Sequence, residues 1–309
     1  MFVPVIGAGS IGRRHHENLT ALGVRSELLP WRGFDAAAFR GRQADAVVIA
    51  TATPIRLELV QLCRDLGLPF YIEKPLAQDI ATVERILEAA GPLAQRSMAG
   101  FMMRYHPAFR ALAQNDLSSV YDASFAIGHD VRQWRKNWSF AASYAARPDG
   151  GGVLLDLCHE LDMACTLFPD MVVKMVSSLG HAAFPGVDFA TRIALAGDGR
   201  LGSVAMDYLS PVSFRRIVLR GPALVADFDL AAGRYRLDLG HGPRDPDFPF
   251  ERNQMFLAAM RDFLHLVAGR RLSDVEHLPR LDLVAGSCRT IARAWGARQF
   301  IGQVGGEFA

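Results

Sequence analysis

The amino-acid sequence predicts an α/β fold in two parts. Residues 1–119 read as a parallel sheet covered by helices, and residues 120–309 as an α+β part with a large open, mostly antiparallel sheet. Three observations predict it. Short apolar runs alternate with helical segments in the first third, as strands buried on both faces require. A glycine-rich turn joins the first run to the first helix. Beyond residue 120 strands follow one another through short Gly- and Asp-bearing turns, the pattern of antiparallel pairing.

The elements are justified in turn. Residues 2–6 are an apolar run stopped by Gly7. Residues 13–22 read as a helix ending at Gly23, a residue suited to the position just past a helix. Strands follow at 24–29 and 44–50, a helix at 57–66 closed by Gly67, a strand at 69–72, a helix at 80–90 closed by Gly91 and a strand at 97–103. Pro107 suits the first turn of a helix over 108–113. In the second part, strands are expected at 120–127, 172–179, 189–196, 201–209, 214–220, 224–230 and 234–239. One helix, 153–167, interrupts them. A proline-rich loop over 240–250 precedes closing helices at 251–268 and 281–297, which could pack back on the first part.

Composition narrows the class. The 34 basic and 32 acidic residues leave a net charge of +2, with 21% charged and 50% hydrophobic residues. That balance argues against a disordered chain and against nucleic acid as a partner. Cys63, Cys158, Cys165 and Cys288 are scattered, which fits reduced thiols better than a disulfide framework. No run of about 18 apolar residues suggests a membrane span. The amino terminus does not read as a secretory signal, so a soluble cytoplasmic protein is expected. The basic residues include only three lysines, Lys74, Lys136 and Lys174. In so arginine-rich a chain, a lysine inside a motif marks a place where the chemistry asks for lysine rather than for charge alone.

The turn Gly7-Ala8-Gly9-Ser10-Ile11-Gly12 is GxGxxG in its required place, after the first strand and opening the first helix. Gly7 permits the tight turn, Gly9 lets backbone approach a pyrophosphate, and Gly12 allows close helix–strand packing. The helix N-terminus offers N–H groups and partial positive charge to phosphates. The first part thus reads as a Rossmann dinucleotide-binding domain. The end of the second strand, Leu28-Leu29-Pro30-Trp31-Arg32-Gly33, has no carboxylate to bind a ribose 2′-OH. Arg32 suits a 2′-phosphate and Trp31 an adenine face, so the expected cofactor is NADP or NAD, with the lean to NADP.

With these motifs the chain resembles the glucose-fructose oxidoreductase / inositol dehydrogenase / MocA family over nearly its whole length. The resemblance rests on GAGSIG at 7–12, VVIATATP at 47–54, Glu73-Lys74-Pro75, and Gly150-Gly151-Gly152 leading to Asp156, His159 and Asp162. It implies an NAD(P)-dependent dehydrogenase or reductase acting on a sugar, nucleotide-sugar or other sugar derivative, or polyol. It implies that Ser10, Ile11, Ala50, Thr51, Thr53, Glu73 and Lys74 join the three glycines and Arg32 at the cofactor. Lys74 is the implied polariser and His159 the implied acid/base, with Asp156 as a third catalytic residue. A histidine of ordinary pKa near 6.5 suits proton transfer to or from a hydroxyl, and a nearby ammonium stabilises developing negative charge. Common family members place three residues between the aspartate and the histidine; here there are two. On a regular helix that changes the rotation by about 100°, which a local bulge would restore. Asp156 then either pairs with Lys74 or stabilises the helix start. Arg56 stands where many members carry histidine and reads as structural.

Arg104 follows the last strand of the first part and is a candidate for an anionic substrate group. Residues 129–144 are rich in arginine and aromatics, and Trp134, Arg135, Trp138 and Tyr144 suit a sugar. Arg132 and Lys136 would suit a phosphate; the same segment also reads as a packed subdomain or oligomer contact. Cys158, His159, Asp162 and Cys165 have no zinc-like companion set, so no metal is expected. The expected partners are a small sugar-like molecule and further copies of the chain, as a dimer or tetramer. Two other functions stay open: a non-catalytic NAD(P)-sensing protein on the same scaffold, and NAD-assisted glycosidase or lyase chemistry.

Overall fold

The computed structural model describes residues 1–134, 139–272 and 277–308. Packing divides the chain into two compact units, residues 1–105 with 251–288, and residues 106–250 with 289–309. The chain changes unit after Tyr105 and returns to the first unit for 251–288.

In the first unit, β1 (Val5–Ile6) leads through the glycine turn into α1 (Ser10–Ala21). Then come β2 (Leu28–Leu29), α2 (Ala36–Arg40), β3 (Val47–Ile49), α3 (Arg56–Leu66), β4 (Phe70–Ile72), α4 (Ile80–Ala90) and β5 (Met98–Ala99). The five strands run parallel in the order β2-β1-β3-β4-β5. Val47, Val48, Ile49, Phe70 and Ile72 are fully buried, which is why these strands read as unbroken apolar runs. Helix ends follow local chemistry. Asp79 caps α4 by accepting the Thr82 N–H at 2.8 Å, and Gly67 ends α3 in the left-handed region at φ 65°. The strand expected over 97–103 stops at Ala99; beyond Gly100 the chain coils into a 3-10 turn, Met102–Tyr105. An apolar run alone does not separate a buried strand from a buried turn.

In the second unit, α5 (Pro107–Ala113) precedes β6 (Asp122–Gly128), α6 (Val153–Asp156) and α7 (His159–Leu167). β7 (Val172–His181), β8 (Ala190–Gly197), β9 (Arg200–Asp207), β10 (Phe214–Gly221), β11 (Leu224–Asp229) and β12 (Arg234–Asp238) follow. Next, α8 (Arg252–Val267) packs on α1 within the first unit. α9 (Ala285–Gly296) carries the chain back to the second unit, where it ends in β13 (Gln299–Val304). The eight-stranded sheet has the order β12-β11-β10-β6-β9-β8-β7-β13. It is mostly antiparallel; β6 with β9 and β7 with β13 are the parallel pairs. β13 escapes a sequence reading because it is an edge strand with almost no buried face and hence no alternation. Among the described residues no helix is long and apolar enough to cross a membrane.

Candidate active site

The glycine turn is built as its spacing demands. Gly7 sits at φ +114°, and a Cβ there would overlap the Ala50 carbonyl; a Cβ on Gly12 would overlap the Gly7 carbonyl. Over Gly9 nothing lies within 4 Å, so the backbone is open to approach. No side chain caps α1, whose first residues Ser10 and Ile11 are exposed and half-buried. Beside the turn, Ala50 and Thr51 are buried, and the Thr51 hydroxyl has no hydrogen-bond partner among the described residues. Thr53 is half-buried at the start of the next turn. Open backbone, an uncapped helix N-terminus and an unanswered buried hydroxyl fit a dinucleotide. Past β2, Arg32 is exposed on a turn closed by Phe34 N–H to the Trp31 carbonyl at 3.0 Å. The half-buried Trp31 ring stacks on Phe34 with centroids 5.6 Å apart.

Glu73 and Lys74 follow β4, and the Lys74–Pro75 peptide is cis. The Glu73 carboxylate pairs with buried His15 of α1 at 2.7 Å. Burial opposes its charge, but the His15 hydrogen bond and the positive groups of Lys74 and Arg56 hold it below the usual carboxylate range. A Cβ on Gly100 would come within 2.9 Å of that carboxylate, so a side chain there would displace it. Lys74 is half-buried. Arg104 lies in the interior of the first unit, 4% exposed, where its guanidinium donates to the Ser287 hydroxyl at 3.2 Å.

In the second unit the helix expected over 153–167 is two helices. α6 ends at Asp156, Leu157 and Cys158 form a break, and α7 begins at His159. Asp156 and His159 therefore do not share the face of one regular helix. Asp156 is the last residue of α6 rather than its start, and its carboxylate accepts the hydroxyls of Tyr144 and buried Tyr208. His159 is 4% exposed. Next to it, fully buried Glu160 accepts from Arg215 at 2.6 Å. Asp162 is also fully buried.

The α6 start is fixed by Asp188, which is fully buried. Its carboxylate accepts the Leu154 N–H and the Thr191 hydroxyl, each at 2.9 Å, and pairs with Arg298. Gly152 is required here, since it sits at φ +90° with a Cβ position that would overlap Asp188 Oδ1.

Of the aromatic segment, Trp134 is half-buried and stacks on His129 at 4.9 Å, while Tyr144 is 54% exposed. Arg132 makes a two-point pair with Asp130 at 2.9 and 2.8 Å, so its charge is already answered. Arg135, Lys136 and Trp138 lie outside the described residues. Among the described residues no group of three or more His, Cys, Asp or Glu side chains is arranged to hold a metal. Sequence reasoning missed His15, Tyr208, Asp188 and Arg298. Each is singly placed far along the chain from the motif it supports, and no spacing announces it.

No protein-family model matches the chain. It is 28% identical over 200 residues to inositol 2-dehydrogenase of Acidothermus cellulolyticus, an alignment covering 58% of this chain and 57% of that protein, so it spans little over half of that relative. It is 33% identical over 245 residues to myo-inositol dehydrogenase Hyg17 of Streptomyces leeuwenhoekii, covering 69% of this chain and 72% of that protein. Among solved structures it resembles UDP-N-acetylglucosamine 3-dehydrogenase of Acidithiobacillus ferrooxidans, with a TM-score of 0.77 at 20% identity over 96% of each chain. It is equally similar to levoglucosan dehydrogenase in complex with NADH, with a TM-score of 0.77 at 15% identity over 96% of each chain.

Proposed function

The chain belongs to the glucose-fructose oxidoreductase / inositol dehydrogenase / MocA family, and from that premise we propose that it is an NAD(P)-dependent oxidoreductase acting on a CH–OH group, or the matching carbonyl, of a sugar, sugar derivative or polyol. The observation that carries the reading is the cradle of Gly7, Gly9 and Gly12 with the uncapped α1 start and the unanswered Thr51 hydroxyl. The named relatives are inositol, nucleotide-sugar and anhydrosugar dehydrogenases, which supports the substrate class.

The nicotinamide, when bound, supplies the hydride chemistry. The chain supplies the rest. The N–H groups at the start of α1 hold the pyrophosphate, and Thr51 and Thr53 extend the polar wall beside it. Lys74 donates to the substrate oxygen and stabilises the negative charge that develops there. His159 takes the hydroxyl proton in oxidation and returns it in reduction. Asp156 fixes the two tyrosines rather than moving a proton. Arg32, exposed past β2 where no carboxylate opposes it, favours NADP. The open face of the large sheet serves contact with further copies of the chain, giving a dimer or tetramer.

A screen of sugars, polyols and nucleotide-sugars with NAD and with NADP, read at 340 nm, tests the reading. Lys74→Ala should keep cofactor binding and lose turnover by about 100-fold or more. Tight cofactor binding without turnover on any substrate would favour a sensing protein. Sugar cleavage without net cofactor reduction would favour NAD-assisted glycosidase or lyase chemistry.

A further inference from the structure

We propose that Arg56 is a positioning residue for Lys74, standing in for the sheet ladder where the ladder stops. β3 and β4 pair as far as Ile49 and Ile72, with one further bond from the Glu73 N–H to the Ile49 carbonyl at 3.0 Å. Two residues beyond the last pair stand Thr51 on one chain and Lys74 on the other. Arg56 opens α3 and is 5% exposed. Its Nε and Nη2 donate to the Thr51 carbonyl at 3.2 and 3.0 Å, Nη2 reaches the Lys74 carbonyl at 3.4 Å, and Nη1 donates to the Pro75 carbonyl.

One planar side chain thus ties the loop that carries the unanswered Thr51 hydroxyl to the loop that carries Lys74. The fork geometry of guanidinium allows this; a lysine at the same place offers one compact point of attachment. A buried cation is costly unless its donors are met, and here they are met by the carbonyls whose spacing matters. The inference rests on the proposed oxidoreductase reading, in which Lys74 must lie within hydrogen-bond reach of the reacting oxygen. An error of about 1 Å in such placement costs about 100-fold in rate.

The three lysines make the test direct. Reductive methylation with carbon-13 formaldehyde labels Lys74, Lys136, Lys174 and the amino terminus, and Lys74→Arg assigns the Lys74 signal. In Arg56→Gln without cofactor, the Lys74 resonance should shift while those of Lys136 and Lys174 stay put. In the same variant kcat should fall about tenfold or more, with the sugar KM changed less than threefold. An unmoved Lys74 resonance with unchanged kcat would overturn the inference. If Arg56→Gln does not fold, Arg56→Lys is read by kcat and KM in the same way. Failure of both to fold would overturn it too, by showing that the guanidinium serves stability. Wild-type protein lacking turnover on every substrate would instead sink the oxidoreductase reading, leaving the resonance shift to judge the placement of Lys74.

Discussion

Tyr208 donates its hydroxyl to Asp156 across 3.0 Å inside the second unit, and Tyr144 donates to the other oxygen of the same carboxylate. Burial and the neighbouring charges of Asp156 and Asp188 hold the Tyr208 phenol well above its ordinary pKa, so it remains a donor. A carboxylate fed by two phenols is a clamp. It sets the ring of the exposed Tyr144 from a fully buried anchor.

Tyr208→Phe removes the anchor's hydroxyl and leaves part of a buried acceptor unanswered, at a cost of about 1–3 kcal/mol. The unfolding midpoint should drop, and the sugar KM should rise severalfold as Tyr144 loses its fixed orientation. The limbs of the kcat pH profile should stay where they are. A limb that disappears in Asp156→Asn would show that Asp156 itself titrates during turnover, against the clamp.

Arg32 makes the cofactor preference testable. Its exposed guanidinium lies past β2 with no carboxylate in the Pro30–Gly33 stretch to oppose a 2′-phosphate. Arg32→Ala should weaken NADP by about tenfold or more, as the loss of a charge-assisted contact implies, and NAD by less than twofold. Equal weakening of both, measured by titration of protein fluorescence, would remove the basis for NADP.

The two halves of the site were not equally legible. GAGSIG and Glu73-Lys74-Pro75 are short stretches whose local backbone is their function, so a one-dimensional pattern carries them. The α6–α7 break was legible only as the local bulge that the shortened Asp156–His159 spacing allows, because Leu157 and Cys158 are ordinary helix residues and mark no stop of their own. The partners of these residues, Tyr208 for Asp156 and His15 for Glu73, lie 52 and 58 positions away in sequence. The strands of the large sheet were legible from alternation; β13, with both faces wet, was not.

His106 predicts an acid weakness in the second unit. Burial first, and then the Arg215 guanidinium, push its pKa from about 6.5 down to about 4. The unfolded chain therefore binds more protons than the folded one between those values. Stability from this group is full above pH 6.5 and is lost as pH falls towards 4, by about 3 kcal/mol at most. The ring also caps α5, its Nδ1 accepting the Ala108 N–H at 3.2 Å. His106→Asn keeps a capping acceptor and removes the titration. Its denaturation midpoint should vary less between pH 6.5 and 4 than that of the wild type; parallel curves would refute the assignment.

Asp188 and Arg298 form a buried pair, with side chains 0% and 8% exposed, that fixes the start of α6. Arg298 is further packed on the Trp295 ring at 4.2 Å. Removing one partner leaves the other charged and unanswered, so Arg298→Leu should cost about 3–5 kcal/mol. Asp188→Asn keeps an oxygen for the Leu154 N–H but strands the guanidinium, and should also destabilise. The double variant removes both charges at once, so its loss should be smaller than the sum of the single losses by about 0.5–3 kcal/mol. Urea unfolding of the four proteins closes the cycle. Strict additivity would mean that Asp188 holds α6 through its neutral hydrogen bonds alone, and that Arg298 is held by its aromatic neighbours.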